Sequence, residues 1–108
     1  MQFIKIDGKG DPNSSADYVR AIEWLYSLSY PIKFMSKREM GRDYTVPPLE
    51  GLWWADDMES FARGDRGDWH WTMMIMQPDW ITPAFFGAAI EKARAKLGDP
   101  PHGLRLED

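Results

Sequence analysis

At 108 residues the chain has room for one domain rather than two independent cores, and its 44% hydrophobic and 28% charged side chains suit a globular protein rather than a disordered one. Thirteen basic against 17 acidic residues give a net charge of −4 with no basic stripe, which argues against a direct nucleic-acid partner. Without cysteine there is no disulfide or thiolate chemistry; without a long apolar run or a recognisable leader, no membrane partner is expected and a cytoplasmic location is.

"FIKI" (Phe3 to Ile6) reads as a short strand closed by the turn-rich "DGKGDPNSS". Ser14 or Ser15 then caps a helix whose apolar positions Tyr18, Ile22, Leu25, Leu28, Ile32 and Met35 recur every three to four residues. Pro31 interrupts that stripe, so a kink near Leu28 to Tyr30 or a restarted helix is expected, with "MGRD" (Met40 to Asp43) as the exit.

The second strand lies in "YTVPPLEGLWW" (Tyr44 to Trp54), and Pro47 and Pro48 confine easy pairing to the part after Leu49. A charged, Gly-rich loop, "ADDMESFARGDRGD", follows; its doubled "RGD" is read as coincidence. "WHWTMMIMQ" (Trp69 to Gln77) is apolar on both faces, as a covered strand would be. Thr82 and Pro83 start a second helix with a stripe of Phe86, Ala89, Ile90, Ala93 and Leu97, ended by Gly98 and Pro100. "GLRLED" alternates and could begin another strand. The order β-α-β-β-α implies an α+β fold, a small antiparallel sheet covered on one face by two helices.

Two helices cannot cover both faces of such a sheet, so the second face should be polar, yet neither side of these strands is. Alternation sets Leu49, Gly51 and Trp53 against Glu50, Leu52 and Trp54, and Trp69, Trp71, Met73 and Ile75 against His70, Thr72, Met74 and Met76. An uncovered apolar face implies a ligand or a second subunit. A carboxylate is costly on an apolar strand unless it is paired or binds something. Glu50 beside Trp54 would make a site for flat, hydrophobic or cationic molecules, with Trp54, Trp71 and Met73 as walls and Leu52 and Trp53 as further candidates. The same tryptophans could serve only as core, and Glu50 could be a solvated edge residue. His70 and His102 are isolated and no metal-ligand spacing occurs, so neither metal nor cofactor is expected.

"IDGKGDPN" leading into "AIEWLYSLSYPIKF", then "DYTVPPLEGLWW", then "WTMMIMQPDWIT", resembles the gyrase-inhibitor-like (GyrI-like) small-molecule-binding family over about Phe3 to Leu97. The resemblance implies tandem β-α-β-β modules about a pseudo-twofold axis, with a ligand cleft between them and an acidic residue in an aromatic pocket. Some members sense drugs and others hydrolyse cyclopropane-containing genotoxins. Residues 1–108 then form one module and its connecting helix, half of the usual pair. Glu50 is the pseudo-symmetric counterpart of the family's main acidic residue, which lies in the second module. A homodimer would restore the missing half of the cleft. Three functions stay open: a module binding hydrophobic or cationic aromatic compounds, a hydrolase of cyclopropanoid genotoxins with Glu50 as acid or base, and a protein-interaction module without a small ligand.

Overall fold

Strand β1 (Gln2–Lys9), helix α1 (Ala16–Met40), strands β2 (Leu49–Ala55) and β3 (Trp69–Gln77), helix α2 (Pro83–Leu97) and strand β4 (Arg105–Glu107) follow one another in a computed structural model. The model describes residues 1–11, 15–55 and 69–108. Ser14, the alternative cap, and the charged loop beyond Ala55 lie outside the described residues.

All pairings are antiparallel, in the order β2-β3-β1-β4. The strand that is apolar on both faces, β3, therefore sits between two neighbours. β1 is longer than "FIKI" because its whole length, Gln2 to Lys9, pairs with Gln77 to His70. β2 begins at Leu49, just beyond the two prolines that cannot donate to a ladder. The alternating C-terminal residues do form a strand, with Leu106 opposite Ile4.

Helix α1 starts where Ser15 Oγ accepts the Tyr18 N–H at 3.2 Å. It stops at Gly41, whose φ of 67° is the left-handed conformation glycine adopts without strain, and whose N–H donates to Lys37 O at 3.1 Å. Pro31 neither ends nor restarts the helix, which runs unbroken through it. The buried side includes Leu25, Leu28, Ile32 and Met35 as expected, and also Ala21, Trp24, Ser29 and Ser36. Trp24, Leu25, Leu28 and Ile32 are fully enclosed, each contributing roughly 1.5–3 kcal/mol through burial. The two serines are structural: Ser29 Oγ accepts from Gln77 Nε2 at 3.2 Å, while Ser36 Oγ accepts from Trp80 Nε1 at 2.9 Å and donates to Arg42 O at 2.7 Å.

Thr82 Oγ1 accepts the Phe85 N–H at the start of α2, with Pro83 as the first helical residue. α1 lies on β1 and β3, while α2 is held chiefly through α1, with Ala89 and Ala93 buried. The small residues let the two helices approach closely. No described helix is long and apolar enough to cross a membrane.

Candidate functional site

The register decides which side chains share a face. Opposite β2, Gly51 pairs with Met73 and Trp53 with Trp71, whereas Glu50 pairs with Met74, Leu52 with Thr72 and Trp54 with His70. Ile4, Ile6, Trp71, Met73 and Ile75 belong to the buried cluster under α1. Glu50, Leu52, Trp54, His70, Thr72, Met74 and Met76 therefore point to the opposite, helix-free side.

This splits the candidate residues taken from the sequence. Glu50, Leu52 and Trp54 are together on the open face, all exposed. Trp71 and Met73, expected as walls beside Glu50, lie on the other side at 1% and 2% exposure. The physical reason is the one-to-one pairing of Trp53 with Trp71: the two strands' odd-numbered positions meet on the face that α1 buries. Trp53 also belongs to that side but stays 40% exposed. Its ring folds back over Gly51, where an added Cβ would come within 2.6 Å of it.

The open face has two unlike halves. Across β1 and β4, Thr72 Oγ1 donates to Asp7 Oδ1 at 2.6 Å, and Arg105 Nη1 donates to Asp7 Oδ2 at 2.8 Å. Arg105 Nε donates to Glu107 Oε2 at 3.1 Å, and Lys5 Nζ reaches Glu107 Oε1 at 2.9 Å. Partial burial would raise the Asp7 pKa, but the bonds from Thr72 and Arg105 outweigh it and hold the carboxyl below its ordinary value. The charges of Lys5, Asp7, Arg105 and Glu107 satisfy one another.

Across β2 and β3 the surface is apolar around a single acid. Trp54 stacks on His70, with ring centroids 5.6 Å apart and planes 12° from parallel. Leu52 is 58% exposed and Met74 forms the floor beside Glu50. Among the described residues, Glu50 has no ion-pair partner. Glu50 and Trp54 share this side of the strand four residues apart, about 13 Å at about 3.3 Å per residue, with Leu52 between them, so an extended flat cation lying along the strand can meet both. On the helix side a cleft of about 300 Å3 lies between Gly8, Asp17, Arg20, Pro101 and His102.

Sequence reasoning had set His70 aside as isolated, and it missed the Lys5, Asp7, Thr72, Arg105 and Glu107 row. Alternation alone already placed His70 with Thr72 and Met74. What it lacked was the alignment of β2 on β3, and of β1 on β4. Among the described residues no group of three or more His, Cys, Asp or Glu is placed to hold a metal ion.

No family model and no curated protein matches the chain. Solved structures do. An uncharacterized conserved protein from Listeria innocua is 39% identical, with a TM-score of 0.83, and the match covers 98% of this chain and 53% of that one. A hydrolase from Listeria innocua is 38% identical with a TM-score of 0.73, over 98% of this chain and 51% of that one. A further hydrolase structure from the same organism matches at 38% identity and a TM-score of 0.76, again over 98% of this chain and 53% of that one. The chain thus spans about half the length of the structures it matches.

Proposed function

We propose that the chain is a GyrI-like module whose open sheet face binds flat hydrophobic or cationic aromatic compounds. The supporting observation is Glu50, a carboxylate without an ion-pair partner among the described residues, on the same face as the Trp54–His70 stack, Leu52 and Met74. The stack offers a π surface, Glu50 the counter-charge, and Met74 a polarizable floor. Trp71 and Met73 serve the core beneath, and Trp53 shields its edge. One platform leaves the ligand's other side in water, so a second copy of the chain, or a further module of a longer protein, completes the cleft.

Titration with ethidium, a cationic aromatic dye, tests this reading through tryptophan quenching. Saturable binding is expected, weakened about tenfold by Glu50→Gln, the order of loss when one charge-assisted contact is removed. Phenanthrene, flat but neutral, should be insensitive to that substitution. Absence of quenching, or equal affinity of Glu50→Gln for ethidium, sinks the proposal.

A hydrolase is the second reading, favoured because two of the similar structures are described as hydrolases. On this face Glu50 would accept a proton from water as the water oxygen bonds to a strained ring carbon. The ring bond breaks toward the departing carbon, which then takes the proton back from Glu50, so the product is substrate plus one water. Stacking on Trp54 would position the ring. Mass detection of a water adduct from a cyclopropane-bearing electrophile, absent with Glu50→Gln, separates turnover from binding alone.

A further inference from the structure

The side of the helix layer facing away from the sheet carries a crease between α1 and α2 that the small-molecule reading leaves unused. Two hollows lie in line along it. One, of about 240 Å3, is bounded by Tyr26, Tyr30 and Pro31 of α1 and by Lys92, Lys96 and Leu97 of α2. The other, of about 280 Å3, is bounded by Met35, Arg38, Ala84, Phe85, Ala88 and again Lys92. Lys92 lines both, so the two hollows adjoin along the crease. From Ala84 to Lys96 it follows α2 for about 18 Å, at 1.5 Å of rise per residue. That is the length of three helical turns.

Floor and rim differ in chemistry. Tyr26 and Tyr30, one turn apart, stack with centroids 6.2 Å apart and are 37% and 46% exposed. Ala84 and Ala88, also one turn apart and exposed, leave room for a close backbone. Around this apolar strip stand Arg38, Lys92 and Lys96, all exposed, with Glu39 as the acid of the lining. Over residues 27–40 and 83–97 the sequence has six basic side chains against two acidic ones, inside a chain whose net charge is −4. Around the groove itself basic side chains outnumber acidic ones three to one, Arg38, Lys92 and Lys96 against Glu39.

We infer that this groove docks an acidic amphipathic helix of a partner protein, its apolar side chains entering the two hollows and its carboxylates meeting Arg38, Lys92 and Lys96. The groove has the length of such a segment, the spacing of its hollows suits anchors one to two turns apart, and its rim has the complementary charge. A flat anionic membrane would meet the same lysines but would leave the hollows unfilled.

The test uses the full chain and a fluorescein-labelled 18-residue helical peptide with leucine on one face and glutamate elsewhere, read by anisotropy. Binding is expected, falling with salt, and at least about tenfold weaker for Lys92→Glu/Lys96→Glu. Both positions are exposed, so far-ultraviolet circular dichroism and the melting temperature should stay unchanged. Tyr30→Ala should weaken binding independently, and Glu50→Gln should not affect it, which separates this groove from the open sheet face. No binding, a lysine-for-glutamate peptide binding as well as the acidic one, or full affinity after charge reversal would overturn the inference. So would co-sedimentation with phosphatidylserine vesicles in the absence of peptide binding.

Discussion

Two glycines lie against tryptophan rings, and the difference between those rings predicts different costs. A Cβ on Gly8 would sit 2.1 Å from Trp71, whose ring is locked in the core at 1% exposure. Gly8→Ala should therefore cost about 2–3 kcal/mol in urea unfolding, the upper range for overpacking. A Cβ on Gly51 would approach Trp53 at 2.6 Å, a ring 40% exposed that can swing outward, and the buried Met73 Sδ at 2.9 Å, part of a flexible side chain. Gly51→Ala should cost about 1–2 kcal/mol, less than Gly8→Ala. Tyr44 poses a different problem. Its hydroxyl is buried without a partner while its ring meets Trp80 edge-on at 6.0 Å. Burial, and then the charge of Asp43, push its pKa up to about 12. An unfolded tyrosine ionises near 10, so below that pH the group gives no slope; between 10 and 12 the folded state keeps a proton that the unfolded state has lost. Stability should thus fall as pH rises through that window, by on the order of 2–3 kcal/mol in all. Tyr44→Phe removes both the slope and an unpaired hydroxyl. Urea titrations from about pH 8 to 11 should show a shallower alkaline decline for the variant and no loss at neutrality; a parallel decline would assign it to other groups.

Why Pro31 fails to break α1 is a question of packing against local cost. An interior proline costs about 3 kcal/mol by removing one N–H bond and crowding the preceding turn. Against this, Trp24, Leu25 and Leu28 on one side and Ile32 and Met35 on the other are all buried in the same core. A break would expose several of these, at roughly 1.5–3 kcal/mol each, so the continuous helix wins. Pro31→Ala should accordingly raise stability by about 1–3 kcal/mol, read as a higher urea midpoint with an unchanged m-value. A loss of stability would mean that the ring itself fills a needed space. The caps, the prolines before β2 and the two-sided apolarity of β3 were legible because each is a local consequence of residue type. Ser29 and Ser36 were not, because a hydrophobic stripe passes over polar residues whose partners, Gln77 and Trp80, lie more than 40 residues away. The same limit governed the site. Strand alternation grouped Glu50, Leu52 and Trp54 correctly, but which face of β3 joins them depends on a register fixed by the whole sheet. Trp71 and Met73 were assigned to the wrong side of it for that reason.

The helix-free face spans four strands, and its dimensions bound what can cover it. Four strands at about 4.8 Å spacing and seven residues at about 3.3 Å rise give a flat footprint on the order of 400 Å2. Stable dimers bury about 800 Å2 per partner, counted over corrugated side chains, so this footprint of about half that area suits a weak or transient interface. The paired charges of Lys5, Asp7, Arg105 and Glu107 would add little, leaving the exposed Leu52 and Trp54 as the apolar centre. Homodimerisation through it is therefore expected to be concentration-dependent, with dissociation in the micromolar range. Leu52→Asp tests this with little risk to the fold, since that side chain is 58% exposed. Sedimentation velocity should show the native chain shifting from monomer to dimer as concentration rises, while the variant stays monomeric with an unchanged circular dichroism spectrum. Ethidium should strengthen the native dimer by mass action if the two copies share the ligand, and leave it unaltered if each platform binds alone. A native chain that remains monomeric at every concentration rules out the second copy. The face would then await a different cover.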